Sequence, residues 1–116
     1  MYKRQIEDAS NLQKKSENLN INGVGVFVNK NINEIEDIIN KVRLKYVQLH
    51  GSEDEEYIKT LKRIGVKVIK SISISNINDL RNISNYNSSD YFLFDYKIFL
   101  FDDHLSLLKL KLPKFL

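Results

Sequence analysis

His50 and Asp95 are the two side chains of this 116-residue sequence best suited to exchange a proton. An imidazole and a carboxylate together can serve as general acid and general base near neutral pH. Each stands at the end of a short apolar run: Leu44 to Leu49 leads into His50, and Tyr91 to Phe94 leads into Asp95. Two further runs end in Asn29 and in Ser71 or Ser73. Gln48 lies inside a mostly apolar run, where a buried amide needs hydrogen-bond partners. Each residue also has a plainer role. A lone histidine at a strand end can bond a loop, and a lone aspartate can cap one. Two of them on one predicted rim give the functional reading equal weight.

Other chemistry finds little support. His104 stands beside Asp102 and Asp103, but no further ligands lie nearby in the sequence, so no metal site is expected. No G-x-S-x-G, P-loop or G-x-G-x-x-G motif is present. Gly23 and Gly25 fall inside a predicted strand rather than after one, so they do not form a nucleotide loop. No glycine follows Gly65, so the second half offers no Gly-rich phosphate loop.

The elements that must hold these residues alternate along the chain. Ile6, Ala9 and Leu12 are spaced like the buried stripe of a short helix that ends near Asn18 to Asn20, whereas Met1 to Gln5 fit no pattern. Ile21 to Val28 is a short β-branched run, which predicts a strand covered on both faces. Asn31 or Asn33 caps a helix whose stripe is Ile32, Ile35, Ile38, Ile39 and Val42. Leu44 to Leu49 is the second strand. Ser52 to Glu55 reads as a capping box for a helix carrying Tyr57, Ile58, Leu61 and Ile64, with Gly65 as its C-cap. Val66 to Ile72 is the third strand. Ser75 or Asn76 caps a short helix with Ile77, Leu80 and Ile83. Asp90 to Asp95 is the fourth strand. Strand and helix alternate at roughly 22 to 25 residues per unit, the rhythm of a parallel sheet with right-handed crossovers. In such α/β sheets ligands bind at the C-terminal strand ends, the rim carrying Asn29, His50, Ser71 and Asp95. After Asp95 the rhythm fails. Leu105, Leu107, Leu108 and Leu110 suggest a short helix, ended by Pro113.

Length and composition bound the rest. The chain is one domain with a small core. Its 42% apolar and 28% charged residues are those of a soluble globular protein. The net charge is +3, and the lysines (Lys30, Lys41, Lys45, Lys59, Lys62, Lys67, Lys70) are scattered. They read as solvated helix faces and strand ends, so no nucleic-acid partner is expected. There is no cysteine, which excludes disulfides and thiolate metal sites and fits the cytoplasm. No signal peptide and no bilayer-length apolar run is present, so no membrane partner is expected.

Four segments together resemble a known family. V-G-V-F-V-N (Val24 to Asn29), V-Q-L-H-G (Val47 to Gly51) followed by acidic residues and Tyr57, V-I-K (Val68 to Lys70) and F-L-F-D (Phe92 to Asp95) occur in the order and spacing of phosphoribosylanthranilate isomerase. The resemblance covers about residues 20 to 97, the third to sixth strands of a (β/α)8 barrel. It implies a small-molecule substrate, N-(5-phosphoribosyl)anthranilate, and a cofactor-free Amadori rearrangement in tryptophan biosynthesis. It also implies roles: Asp95 matches the general acid that protonates the ribose ring oxygen, and Gln48 and His50 match pocket-lining residues. The family's general base, a cysteine on the first strand, has no match here. Neither has the arginine after its second strand, nor the strands and glycines that grip phosphate. A complete barrel takes about 250 residues. The chain is therefore expected to be a partial barrel, about half of one. Residues 1–20 would form a preceding helix, 21–97 four βα units, and 98–116 an atypical C-terminal segment in which Phe101 to Leu105 resembles a later family motif.

Three readings follow. The first is a fragment of the isomerase with little activity of its own. The second is a non-catalytic half-barrel that associates with itself or a complementary piece, because half a barrel leaves two open sheet edges and an unfilled inner face. The third is a small doubly wound regulatory domain of receiver type, which would want acidic residues at its early strand ends where Asn29 and His50 stand.

Overall fold

A computed structural model describes residues 2–99 and 105–113, with side chains from residue 3 to residue 95. The elements are α1 (Tyr2–Asn18), β1 (Val24–Phe27), α2 (Ile32–Val42), β2 (Tyr46–Leu49), α3 (Glu55–Ile64), β3 (Lys67–Ile74), a 3₁₀ helix (Ile77–Tyr86), β4 (Tyr91–Phe99) and β5 (Leu105–Pro113).

Helix boundaries follow local chemistry. Asn31 has extended backbone angles and accepts the Asn33 N–H at 2.8 Å, so it is the cap of α2. Arg43 ends that helix in the left-handed region, at φ 63°. The capping box expected at Ser52 and Glu55 does not form. Asp54 caps α3 instead, accepting the Tyr57 N–H at 2.9 Å. Ser52 is bonded to Asn29, and the Glu55 carboxylate accepts the Ser88 N–H and hydroxyl. Gly65 closes α3 at φ 107°, a conformation that glycine adopts freely. Asn76 and Asp79 make a reciprocal capping box at the start of the 3₁₀ helix. There the N–H groups of Ser75 and Asn76 hold the Asp79 carboxyl below its ordinary range.

The sheet runs β1-β2-β3-β4-β5 in sequence order. The first four strands are parallel, with Val47 beside both Gly25 and Val68, and Lys70 beside Phe92. No reversal of strand order occurs among the described strands. The doubly wound alternative needs such a switch point and is excluded. One face of the sheet carries the core. Val47 and Leu49 of β2 and Val68 of β3 pack there against Ile35 and Ile39 of α2 and Ile58 and Leu61 of α3. Ile72, Phe92 and Phe94 form a second cluster with Ile83 and Tyr86 of the 3₁₀ helix.

Three expectations need correction. β1 is not covered on both faces: Val24 and Val26 are 38% and 58% exposed, because β1 is an edge of the described sheet. Leu12 of α1 is 69% exposed rather than part of a buried stripe. The segment from Leu105 is a strand, not a helix. Its leucines at 108, 110 and 112 alternate with Lys109 and Lys111, a period of two that suits pairing. β5 lies antiparallel along β4, with Leu105 beside Phe99 and Pro113 beside Tyr91. Pro113 is its last residue, where a missing N–H is tolerated. Of the two edges expected to be open, that of β4 is thus paired.

Candidate active site

Residues alternate between the two faces of a strand. Val47 and Leu49 face the helices, so Gln48 faces the opposite side. The register places Gln48 beside Val26 and Ile69, Ser71 beside Leu93, and Ser73 beside Asp95. His50 follows β2 directly, and its N–H continues the ladder by donating to the Phe27 carbonyl at 2.9 Å.

The side chains meet on this face. The Gln48 amide donates to Ser71 Oγ at 3.0 Å, and Ser71 Oγ lies 3.1 Å from His50 Nδ1. The Gln48 amide nitrogen is also 3.5 Å from that ring nitrogen. His50 Nε2 lies 3.7 Å from Asp95 Oδ2. Gln48 Nε2 can only donate, so Ser71 Oγ accepts from it and keeps its own proton and a second lone pair for other partners. The Ser71–His50 contact is therefore compatible with Nδ1 as acceptor or as donor, and the tautomer sets which of the two it is. The Asp95 side chain is 15% exposed, and its Oδ1 is buried with no hydrogen-bond partner among the described residues. A buried oxygen without a partner is costly unless something else bonds it. Oδ1 is therefore a buried acceptor still in need of a donor.

The predicted rim is thus partly assembled. His50, Asp95 and Gln48 come together, and Ser71 rather than Ser73 joins them. Asn29 does not. Its side chain accepts the Ser52 N–H at 2.8 Å and the Ser52 hydroxyl at 3.1 Å, bracing one loop against the next. Asn29 takes a φ of 50°, which asparagine tolerates better than most residues. Asp102, Asp103 and His104 lie outside the described residues. Among the described residues no group of three or more His, Cys, Asp or Glu is placed to hold a metal ion, and no helix is long and apolar enough to cross a membrane.

Beneath the rim lies a polar cluster that the sequence did not announce. Lys70, expected in solvent, is 2% exposed on the helix-facing side of β3. Its Nζ donates to the Gly51 carbonyl at 2.8 Å, lies 3.3 Å from Glu53 Oε1, and sits 4.9 Å above the Tyr86 ring centre. Burial pushes the Lys70 ammonium below its ordinary range, and the Glu53 carboxylate acts against that shift. Glu53 is 4% exposed; its Oε1 accepts the Gly51 N–H at 2.9 Å and its Oε2 the Asn29 N–H at 2.7 Å. The available signal was the two-residue period of Val68, Lys70 and Ile72, which puts the lysine on the apolar face. Nearby, the Tyr57 hydroxyl donates to the Lys30 carbonyl at 2.7 Å and ties α3 to the loop after β1. Burial, and secondly the Glu53 charge, pushes this phenol up to about 12.

Comparison with known proteins bears on the family and the fold. The family model for N-(5'-phosphoribosyl)anthranilate (PRA) isomerase matches residues 2–101. The N-(5'-phosphoribosyl)anthranilate isomerase of Clostridium acetobutylicum is 40% identical over 95 residues, which is 80% of this chain and 44% of the relative. That of Petrotoga mobilis is 48% identical over 79 residues, 67% of this chain and 37% of the relative. The crystal structure of the Thermotoga maritima enzyme superposes with a TM-score of 0.71 at 33% identity, covering 80% of this chain and 44% of that one. A structure of the isomerase in complex with reduced 1-(o-carboxyphenylamino)-1-deoxyribulose 5-phosphate gives 0.70 at 33%, covering 78% and 45%. The chain therefore spans somewhat less than half the length of these relatives, and its four parallel strands with their helices are about half of a (β/α)8 barrel. By motif order, fold and family match together, this chain belongs to the N-(5'-phosphoribosyl)anthranilate isomerase family.

Proposed function

We propose that the chain supplies one wall of a cytoplasmic phosphoribosylanthranilate isomerase site, the wall that carries the acid. The reaction is the Amadori rearrangement of N-(5'-phosphoribosyl)anthranilate in tryptophan biosynthesis, an aldose-to-ketose isomerisation without cofactor. Asp95 protonates the ribose ring oxygen as the ring opens, and Gln48 and His50 bind the substrate. The carrying observation is the Asp95 carboxylate itself. Oδ2 is approached by His50 Nε2 at 3.7 Å, whereas buried Oδ1 has no partner among the described residues. A polar ligand atom bonded to Oδ1 would remove that deficit. The chain contains no cysteine, so these residues do not supply the base implied by the family resemblance. The acid half alone should give very little turnover.

A graft tests this reading. Residues 21–97 would replace the matching span of the Clostridium acetobutylicum enzyme, in a tryptophan auxotroph lacking this step. The chimera is expected to restore growth, Asp95→Asn in the chimera to abolish it, and the present chain alone to give none. A folded chimera without rescue, or an Asp95→Asn chimera that grows as well as its parent, refutes the assignment.

A second reading, association through the β1 edge, has its own support. An apolar cleft of about 600 Å³ runs between α1 and β1, lined by Ile6, Ala9, Leu12, Val24, Val26 and Leu44. Val28 just beyond β1 is 60% exposed. Self-association there predicts a sedimentation coefficient that rises with concentration in the parent and not in Val26→Asp.

A further inference from the structure

We infer that the buried Glu53–Lys70 pair is a positioning clamp for His50, acting through the Gly51 peptide. Gly51 follows His50 directly and is held by both of its main-chain polar groups. Glu53 Oε1 takes its N–H at 2.9 Å and Lys70 Nζ gives to its carbonyl at 2.8 Å. On the other side the His50 N–H is fixed by the Phe27 carbonyl. The imidazole therefore projects from a backbone pinned on both sides of its own residue. The same carboxylate takes the Asn29 N–H at 2.7 Å, so the loops after β1 and β2 share one anchor.

Energetics favour positioning over plain stabilisation. Lys70 stands in the core row between Leu49 and Phe92. Replacing a buried ion pair with apolar side chains of similar volume is often neutral or stabilising, because desolvation offsets the attraction. The Lys70 ammonium donates to Gly51 O and Glu53 Oε1, and its charge stands over the Tyr86 ring. No buried side-chain oxygen or nitrogen of Glu53 or Lys70 lacks a partner, as a rigid network requires. What a leucine at 70 could not do is hold the Gly51 carbonyl.

The functional meaning rests on the reading of His50 as a substrate-facing residue, but the test does not use activity. The full chain, ¹⁵N-labelled, is compared with Glu53→Gln, Lys70→Met and Ile39→Ala. The last removes core volume on α2 and touches none of the clamp. A glutamine amide offers one accepting oxygen and one donating nitrogen. It can serve the N–H of Gly51 or of Asn29, not both. Glu53→Gln and Lys70→Met are expected to shift the His50 ring resonances, to weaken the Ser71–His50 cross-peaks, and to speed amide exchange at Gly51 about tenfold or more. Ile39→Ala should lower overall stability and leave the His50 signals in place. Unchanged His50 signals in folded Glu53→Gln overturn the clamp, as does an equal change in Ile39→Ala. If Glu53→Gln does not fold, Glu53→Asp keeps the charge and withdraws it by one methylene, with the same readouts. Loss of the fold in both assigns the pair to stability alone and also overturns the inference. Failure of the growth assay with intact His50 perturbation would reject the isomerase role and leave the clamp standing.

Discussion

Replacing Gly51 with alanine puts a methyl group where the Asn29 amide lies. A Cβ at position 51 would sit 2.5 Å from Asn29 Oδ1 and 2.9 Å from its Nδ2. The backbone has little room to retreat, since Glu53 and Lys70 hold both polar groups of the Gly51 peptide. Asn29 must therefore swing away, and it loses the bonds from the Ser52 N–H and hydroxyl. At about 1 kcal/mol for each net hydrogen bond, the loss is about 2 kcal/mol. Alanine stiffens the unfolded chain and returns about 0.4–1 kcal/mol. The net destabilisation is then about 1–1.5 kcal/mol, which lowers the urea midpoint by on the order of 0.5–1 M for a domain of this size. The assay is equilibrium urea unfolding followed by circular dichroism. Asn29→Gly removes the amide and suits the positive φ there, so Gly51→Ala in that background should be close to neutral. A Gly51→Ala variant as stable as its parent refutes the reasoning. So does an equal cost in both backgrounds.

Other outcomes follow from packing and charge. Ile58→Ala, at a fully buried position, should cost about 2–5 kcal/mol in thermal unfolding, against under about 0.5 kcal/mol for Ile77→Ala on an exposed face. Asp90 accepts from Lys62 Nζ at 2.6 Å and from the Val68 N–H at 2.7 Å. With both ionised side chains partly exposed, Asp90→Asn should cost about 1–2 kcal/mol by urea titration. Tyr57 keeps its proton in the fold up to about 12, whereas the unfolded side chain loses it near 10.0. The unfolded chain then holds fewer protons between those values, so stability falls as pH rises through that window. In Tyr57→Phe that component of the slope should vanish.

The parallel strands, their spacing and the rim residues were legible because they depend on local pattern. β-branched runs, a glycine at the end of α3 and polar residues just past each strand all act within a few positions. Misread features depend on partners far away in sequence. Ser52 and Glu55 have the spacing of a capping box, yet Asn29 and Ser88 engage them, and Asp54 takes over the cap. Lys70 reads as one scattered lysine among many until Glu53, Gly51 and Tyr86 surround it. Leu105 to Leu110 fits helix and strand periods about equally, and the free edge of β4 decides for the strand. Gln48 reads in the sequence as an amide in need of partners, and in the fold it is half-buried. Its main partner, Ser71, could only be named once the register was known.

The sequential strand order also shapes how this molecule can fold. Gly25 pairs with Val47, 22 positions on, and Val47 with Val68, 21 positions on. Each parallel pairing therefore closes a chain segment of nearly the same length, with nearly the same entropic cost, and none needs a contact across the whole chain. β2 and β3, with α3 between them, carry most of the main apolar cluster and are expected to act as the folding seed. Growth is then expected to proceed outward from it one strand at a time. Amide protons of Val47, Leu49 and Val68 should then be the last to exchange, and those of β1 among the first, so protection falls away from the centre of the sheet toward its edge.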